Sequence, residues 1–355
     1  MNNSVPVGGQ AVIEGVMMRS PNSLAVAVRR PDKKIVIKEA VWRSIWNRFR
    51  FLKWPFFRGT VVMIEAMVNG IQALNFSARE AMPPEEQEKL SNEEKAKSNG
   101  SGSESDWLMM ALPMLLSVVF AIGLFKFVPH LAATYAGSLF TGTPWTVDDL
   151  SYHFVDGLIK VVLFIGYVAG ISFFKDIRRV FMYHGAEHKA IYTYEAGEDL
   201  IVENARRKTR LHPRCGTSFL MVVILVFIVV SAIILPVLPD WIKPGEGKPF
   251  YYHLILVLAK LPLLIPVAGI SYEFNRFAGK HCNLAVIKPL MWPGLAMQLI
   301  TTKEPTDDQL EIALAALRTS LWREKVGQSA ESVSDELLVF SDFQAFESAS
   351  SNLRP

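Results

Sequence analysis

The sequence predicts a mainly α membrane protein: four transmembrane helices, a small N-terminal cytoplasmic β-sheet and amphipathic cytoplasmic helices. Three observations predict it. Half of the 355 residues are hydrophobic and a fifth are charged, with a mean hydropathy of +0.23, which is too apolar for one ordinary soluble domain. Four segments are long enough to cross about 30 Å of hydrocarbon, which needs roughly 20 apolar residues. Lys and Arg alternate between the connecting segments, with 15 in 1–106, none in 136–153, 9 in 175–216, 2 in 240–252 and 8 in 271–355. That alternation predicts an N-in, C-in topology. The net charge of +3 is small, so the expected partner is the lipid bilayer and no nucleic acid partner is expected.

Residues 1–58 read as a cytoplasmic β-rich segment. Short apolar runs beginning at Ala11, Leu24 and Ile35 are separated by Ser20-Pro-Asn-Ser and Arg30-Pro-Asp-Lys-Lys turns. Residues 59–82 read as an interfacial or re-entrant helix around Glu65, because a crossing there would strand the 11 basic residues of 1–58 outside. Residues 83–106, rich in Glu, Lys, Ser and Gly, read as a disordered linker.

Transmembrane helices 1 and 2 lie in 107–174: Trp107 to about Pro129, with Lys126 near its far end, and Phe154 to Phe174, with Asp156 and Lys160 in its opening turns. A cytoplasmic loop follows over 175–214. Helices 3 and 4 lie in 215–272. Cys215 to about Pro239 carries no charge, whereas about His253 to Tyr272 contains Lys260, Pro262 and Pro266 and is expected to be kinked. Residues 273–323 read as an interfacial segment and an amphipathic helix. There Thr306-Asp-Asp-Gln309 is a capping box, and Leu310, Ala313, Leu314, Leu317 and Leu321 share a face. Residues 324–355 read as a disordered tail.

The densest polar constellation is His184-Gly-Ala-Glu187-His188 in the 175–214 loop. On a helix His184 and His188 stand one turn apart on one face, close enough to share a divalent ion. Two imidazoles suit zinc or a similar transition ion. Glu187 is either a third ligand or the general base for an activated water, the H-x-x-E-H arrangement. The bland alternative is a solvated helix start whose histidines do no chemistry. In the same loop, His212-Pro-Arg-Cys215 supplies a further ligand from His212 or Cys215, or forms only an interfacial turn.

Other groups admit two uses each. A structural zinc site of His212, Cys215, His281 and Cys282 is conceivable. Glu273 pairs with Arg276 or joins the metal, and Glu14 approaches the metal loop or pairs with Arg19. Lys260 is an intramembrane charge that serves transport or proton relay, or else snorkels or pairs with Asp156.

Four strings, Gly8–Arg19, Tyr183–Lys189, Leu211–Phe219 and Thr301–Pro305, together resemble the YqhQ-like family of bacterial membrane proteins, a domain of unknown function described as a predicted metal-dependent enzyme. The resemblance runs from about Gly8 to about Arg318, apart from the 83–106 linker, and implies location in the bacterial cytoplasmic membrane. The expectation is a metal-dependent hydrolase with its site at the cytoplasmic surface. His184, His188, His212 and Cys215 are the candidate ligands, Glu187 is the candidate base, and a divalent transition metal such as zinc is the candidate cofactor. A non-catalytic membrane scaffold or assembly factor, or a small transporter using Lys260, are the alternatives.

Overall fold

The protein is seen in a computed structural model that describes residues 5–45, 49–54, 57–89, 104–213, 215–244, 248–281, 284–326 and 337–350. The N-terminal apolar runs fold as an antiparallel meander: β1 (Gly8–Val12), β2 (Gly15–Arg19), β3 (Ser23–Arg29) and β4 (Ile35–Val41). The β1–β2 turn puts Glu14 at φ 51 and the β3–β4 turn puts Lys33 at φ 69, the left-handed conformation that tight hairpins require. A fifth strand, β5 (Leu338–Phe340), joins the free edge of β4, pairing Ile35 with Phe340 and Ile37 with Leu338.

Helices cover both faces of this sheet. Val12, Met17, Val26 and Val28 pack against Ala73 and Phe76 of α1 (Phe57–Glu80). On the opposite face, Val16, Met18, Ala27, Ile35 and Ile37 pack against α5 (Lys175–Glu195) and α11 (Asp307–Val326), with the short α6 (Val202–Arg206) and α12 (Phe343–Ala349) closing the same core. A sheet covered on both sides buries both sets of side chains, and β3 is accordingly buried along most of its length.

The other helices form an apolar bundle. In it α2 (Glu104–Ile122) runs through a π-helical turn, Gly123–Phe127, into α3 (Val128–Phe140). Beside them are α4 (Leu150–Ile171), α7 (Gly216–Ile234), the pair α8 (Tyr251–Ala259) and α9 (Leu264–Lys280) bent by 42°, and α10 (Ile287–Thr301). Among the described residues, four helical stretches are long and apolar enough to cross a membrane: Phe57–Glu80, Leu112–Phe140, Leu150–Ile171 and Gly216–Val237. The bent pair makes five if it counts as one. Their outer faces expose large apolar groups such as Leu115, Phe120, Leu139, Phe154 and Ile233.

Several expectations change. The tail is not structureless through 337–350, because β5 completes the sheet and Phe343 and Phe346 enter the core. Within the 83–106 linker, 84–89 is helical and α2 already begins at Glu104, while 90–103 lie outside the described residues. Helix α11 has the expected cap, the Thr306 N–H donating to Gln309 Oε1 at 3.0 Å, yet it is not amphipathic in place. Every residue from Leu310 to Leu321 except Glu311 is buried, because sheet, α5, α6 and α12 surround it. Glu273 pairs with Arg58 on α1 rather than with Arg276. Asp156 pairs with Lys160 one turn along, leaving the Lys260 ammonium to donate to Tyr152 Oη at 2.8 Å.

Candidate metal centre

Helix α5 leaves the sheet core and meets the start of α7 and the end of α10, and the His184–His188 turn lies at that junction. Its local sequence is explained by packing. Gly185 lets α5 approach the 302–305 segment so closely that a Cβ would run into the Lys303 carbonyl, and Ala186 is fully buried in the sheet core. A mid-helix glycine costs about 1 kcal/mol relative to alanine. The close contact requires it here.

Three side chains converge: His184, His188 and Cys215. All are buried, and one ligand atom from each lies within 4.8 Å of the others. Each imidazole donates its Nδ1–H to a backbone carbonyl, His184 to Thr301 at 2.8 Å and His188 to Arg210 at 2.5 Å. Those bonds select one tautomer, so in both rings Nε2 carries the free lone pair. His184 Nε2 lies 3.1 Å from Cys215 Sγ, and His188 Nε2 is buried without a hydrogen bond of ordinary geometry. Burial disfavours the His188 imidazolium, against an opposing effect from the neighbouring Cys215 sulfur.

Cys215 is the N-cap of α7, its sulfur accepting from the Thr217 N–H at 3.4 Å. Its position is therefore set by the helix start. Bonds of about 2.0 Å to nitrogen and 2.3 Å to sulfur place tetrahedral donors about 3.5 Å apart, so small side-chain adjustments would close this set around one ion. Two nitrogens, one sulfur and an orphaned buried Nε2 fit zinc or a similar ion.

The remaining predicted residues are near but differently engaged. His212 is outside the converging set. Its Nε2 lies 3.4 Å from a Glu195 carboxylate oxygen, its ring meets Tyr192 edge-on, and its centroid is 5.6 Å from that of His188. Glu187 is also outside the set and turns towards β1. A Cβ at Gly9 would sit 2.7 Å from Glu187 Cγ, so the second glycine of the Gly8-Gly9 string exists to admit this carboxyl. Burial pushes Glu187 up to about 7, opposed by His184 and by the Gly9 N–H. Glu14 does approach this helix, pairing with Arg179 and accepting the Tyr183 hydroxyl at 3.3 Å, while Arg19 lies 3.5 Å from Glu65. His281 is exposed and Cys282 lies outside the described residues.

Sequence reasoning missed the supporting shell. Gln298 accepts from the His212 N–H and donates to the His212 carbonyl and to Ser218 Oγ, each at 2.7 Å. Arg210 donates to the Thr302 carbonyl at 2.6 Å and to its Oγ1 at 2.7 Å, tying its own segment, whose carbonyl orients His188, to the segment whose Thr301 carbonyl orients His184. The Thr301–Pro305 string was the available signal. It contributes mainly backbone, which no side-chain pattern announces.

The sequence pattern of a family described as "Protein of unknown function (DUF1385)" matches residues 54–323. The chain is 34% identical over 332 residues to "Uncharacterized protein YqhQ" of Bacillus subtilis (strain 168), covering 93% of this chain and 97% of that one. No solved structure matches.

Proposed function

Since the chain belongs to the DUF1385 family, whose description assigns no activity, we propose a function from the site itself: a metal-dependent hydrolase at the cytoplasmic surface of the bacterial cytoplasmic membrane. The carrying observation is the pair of imidazoles whose Nδ1 protons both go to carbonyls while both Nε2 atoms turn to the Cys215 sulfur. His184, His188 and Cys215 hold the ion, and three protein ligands leave a position open. The ion, when bound, supplies Lewis acidity for polarising a substrate oxygen. The Thr301 and Arg210 carbonyls keep the ligand rings oriented, and Glu187, which shares the helical turn and packs against Gly9, is the assigned proton acceptor.

The membrane placement is supported by counting crossings. Helix α5 and α11 pack on the same sheet, so the chain between β4 and α5, and again between α5 and α11, crosses an even number of times. The second interval holds Gly216–Val237, of mean hydropathy 3.3, and the bent pair, so both cross. The first interval holds three candidates, of which two cross. Phe57–Glu80 has the lowest mean hydropathy, 1.2, and packs its second half on the sheet, so it lies along the interface. Four crossings put both ends on one side, and the basic segments make that side cytoplasmic.

Metal analysis of protein purified without chelator tests the site. Wild type is expected to carry one transition ion per chain, lost in His184→Ala and His188→Ala; metal-free wild type overturns the proposal. Glu187→Gln is expected to keep the ion and abolish complementation in vivo. Burial of all three ligands favours a second reading, a structural metal in a non-catalytic scaffold. Full complementation by Glu187→Gln would support that reading.

A further inference from the structure

The apolar bundle contains a second polar cluster, remote in sequence from the metal centre. Lys160 is the eleventh of the 22 residues of α4, about 15 Å from the helix start at 1.5 Å per residue. In the membrane placement above, that is mid-bilayer. Lys260 stands where α8 breaks from α9, and Lys126 stands in the π-helical turn between α2 and α3. Broken spans and π-turns inside membranes recur at binding sites, because the altered backbone opens room for side chains and ligands.

The three ammonium groups share one carboxylate. Asp156 pairs with Lys160 and leaves its Oδ1 buried without a partner. Lys260 is fully buried and donates to Tyr152 Oη at 2.8 Å. Tyr152 in turn lies 2.6 Å from His130 Nδ1, and His130 Nε2 lies 2.8 Å from His253 Nδ1. Lys126 makes no ion pair among the described residues. Its ammonium sits 3.3 Å from the centroid of the Phe227 ring, with that of Lys160 at 5.3 Å from the same ring. Formally the cluster carries two positive charges without anions. Uncompensated charge at that depth is costly.

A cavity of about 280 Å³ adjoins the two lysines at Phe227 and is otherwise walled by apolar and aromatic side chains, among them Phe164, Tyr167 and Leu264. Tyr167 and Leu264 are exposed on the outside of the bundle, where lipid would be. We infer that this cavity binds an amphiphile with an anionic head group, a carboxylate or phosphate ester on an apolar chain, the head neutralising Lys126 beside the Lys160–Asp156 pair and the chain lying along the cavity wall. The inference rests on the membrane placement proposed above and is independent of the metal.

Full-length protein in neutral detergent is titrated with palmitate, hexadecyl phosphate, hexadecanol and inorganic phosphate, with bound stoichiometry read by native mass spectrometry. One or both of the amphiphilic anions are expected to bind one to one, and which one binds identifies the head group. Affinity is expected to fall at least tenfold in Lys126→Met and in Lys160→Met and to recover in Lys126→Arg. Hexadecanol binding as well as the anions overturns the proposal, as does unchanged affinity in Lys126→Met or inorganic phosphate displacing the anions at equal concentration. Because a lysine variant can fail to fold, wild type is also cross-linked with a diazirine-bearing palmitate. Labelling at 125–126, within 160–167 or 220–227, or at 264 is expected, and labelling confined elsewhere overturns the assignment. Alkaline extraction of membranes, run alongside, separates failure of this site from failure of the membrane placement.

Discussion

His184 and His188 stand one turn apart on α5, and what sets them apart from two ordinary buried imidazoles is the destination of their Nδ1 protons. Both go to main-chain carbonyls from other elements, so the free lone pairs face the same sulfur. At this scale Gly185 is the sensitive position. Gly185→Ala removes a helix-unfavourable residue, a gain of about 1 kcal/mol, but drives a methyl group into the Lys303 carbonyl, an overpacking cost of roughly 1–3 kcal/mol. The Thr301 carbonyl moves with that segment. The variant is expected to melt at lower temperature and to retain metal less tightly, as read by thermal unfolding and by chelator competition. A higher melting temperature with wild-type metal retention would refute the contact as drawn.

Helix α11 shows how neighbours redefine an element. Its sequence carries one apolar face, yet Thr319, Ser320 and Gln309 are as buried as Leu314, because the sheet, α5, α6 and α12 enclose it. Its small and hydroxyl residues accommodate the close packing, and Thr319 satisfies its hydroxyl on the Ala315 carbonyl at 2.8 Å. Helix α12 belongs to that enclosure through Phe346, which is fully buried and stacks against Phe343 with ring centroids 5.7 Å apart. Phe346→Ala is therefore expected to destabilise the protein by about 3–5 kcal/mol, as large-to-small changes at buried aromatics do. Denaturant unfolding measures this, and a change below about 0.5 kcal/mol would mean that the tail does not belong to the core.

For the molecule as a whole, β5 brings the chain back to the strand next to the N-terminal ones, and this constrains how often the intervening helices cross a bilayer. Reporter fusions after 143 and after 244 are expected to report the outside, and fusions after 198 and at 355 the inside. A fusion at 198 reporting outside would contradict the even count between β4 and α5. The packing of α5 on the sheet and against the start of α7 and the end of α10 places the His184, His188 and Cys215 cluster at the junction of the sheet core and the bundle. In the proposed placement that is the cytoplasmic boundary of the membrane.

Composition, the four apolar stretches and the turn chemistry of 20–23 and 30–34 depend on local pattern alone, so the helical class, the antiparallel sheet and the family are legible in the sequence by itself. The i, i+4 spacing of His184 and His188 is legible for the same reason. The partner of those histidines is not. The choice of Cys215 over His212 depends on where α7 begins relative to α5 in space, and spacing along the chain carries no information about that distance. Nor could the sequence assign Glu187 to Gly9, Glu273 to Arg58 or Lys260 to Tyr152. An ionisable group in an apolar setting goes to whichever partner the packing brings within reach, and only the tertiary structure decides which one that is.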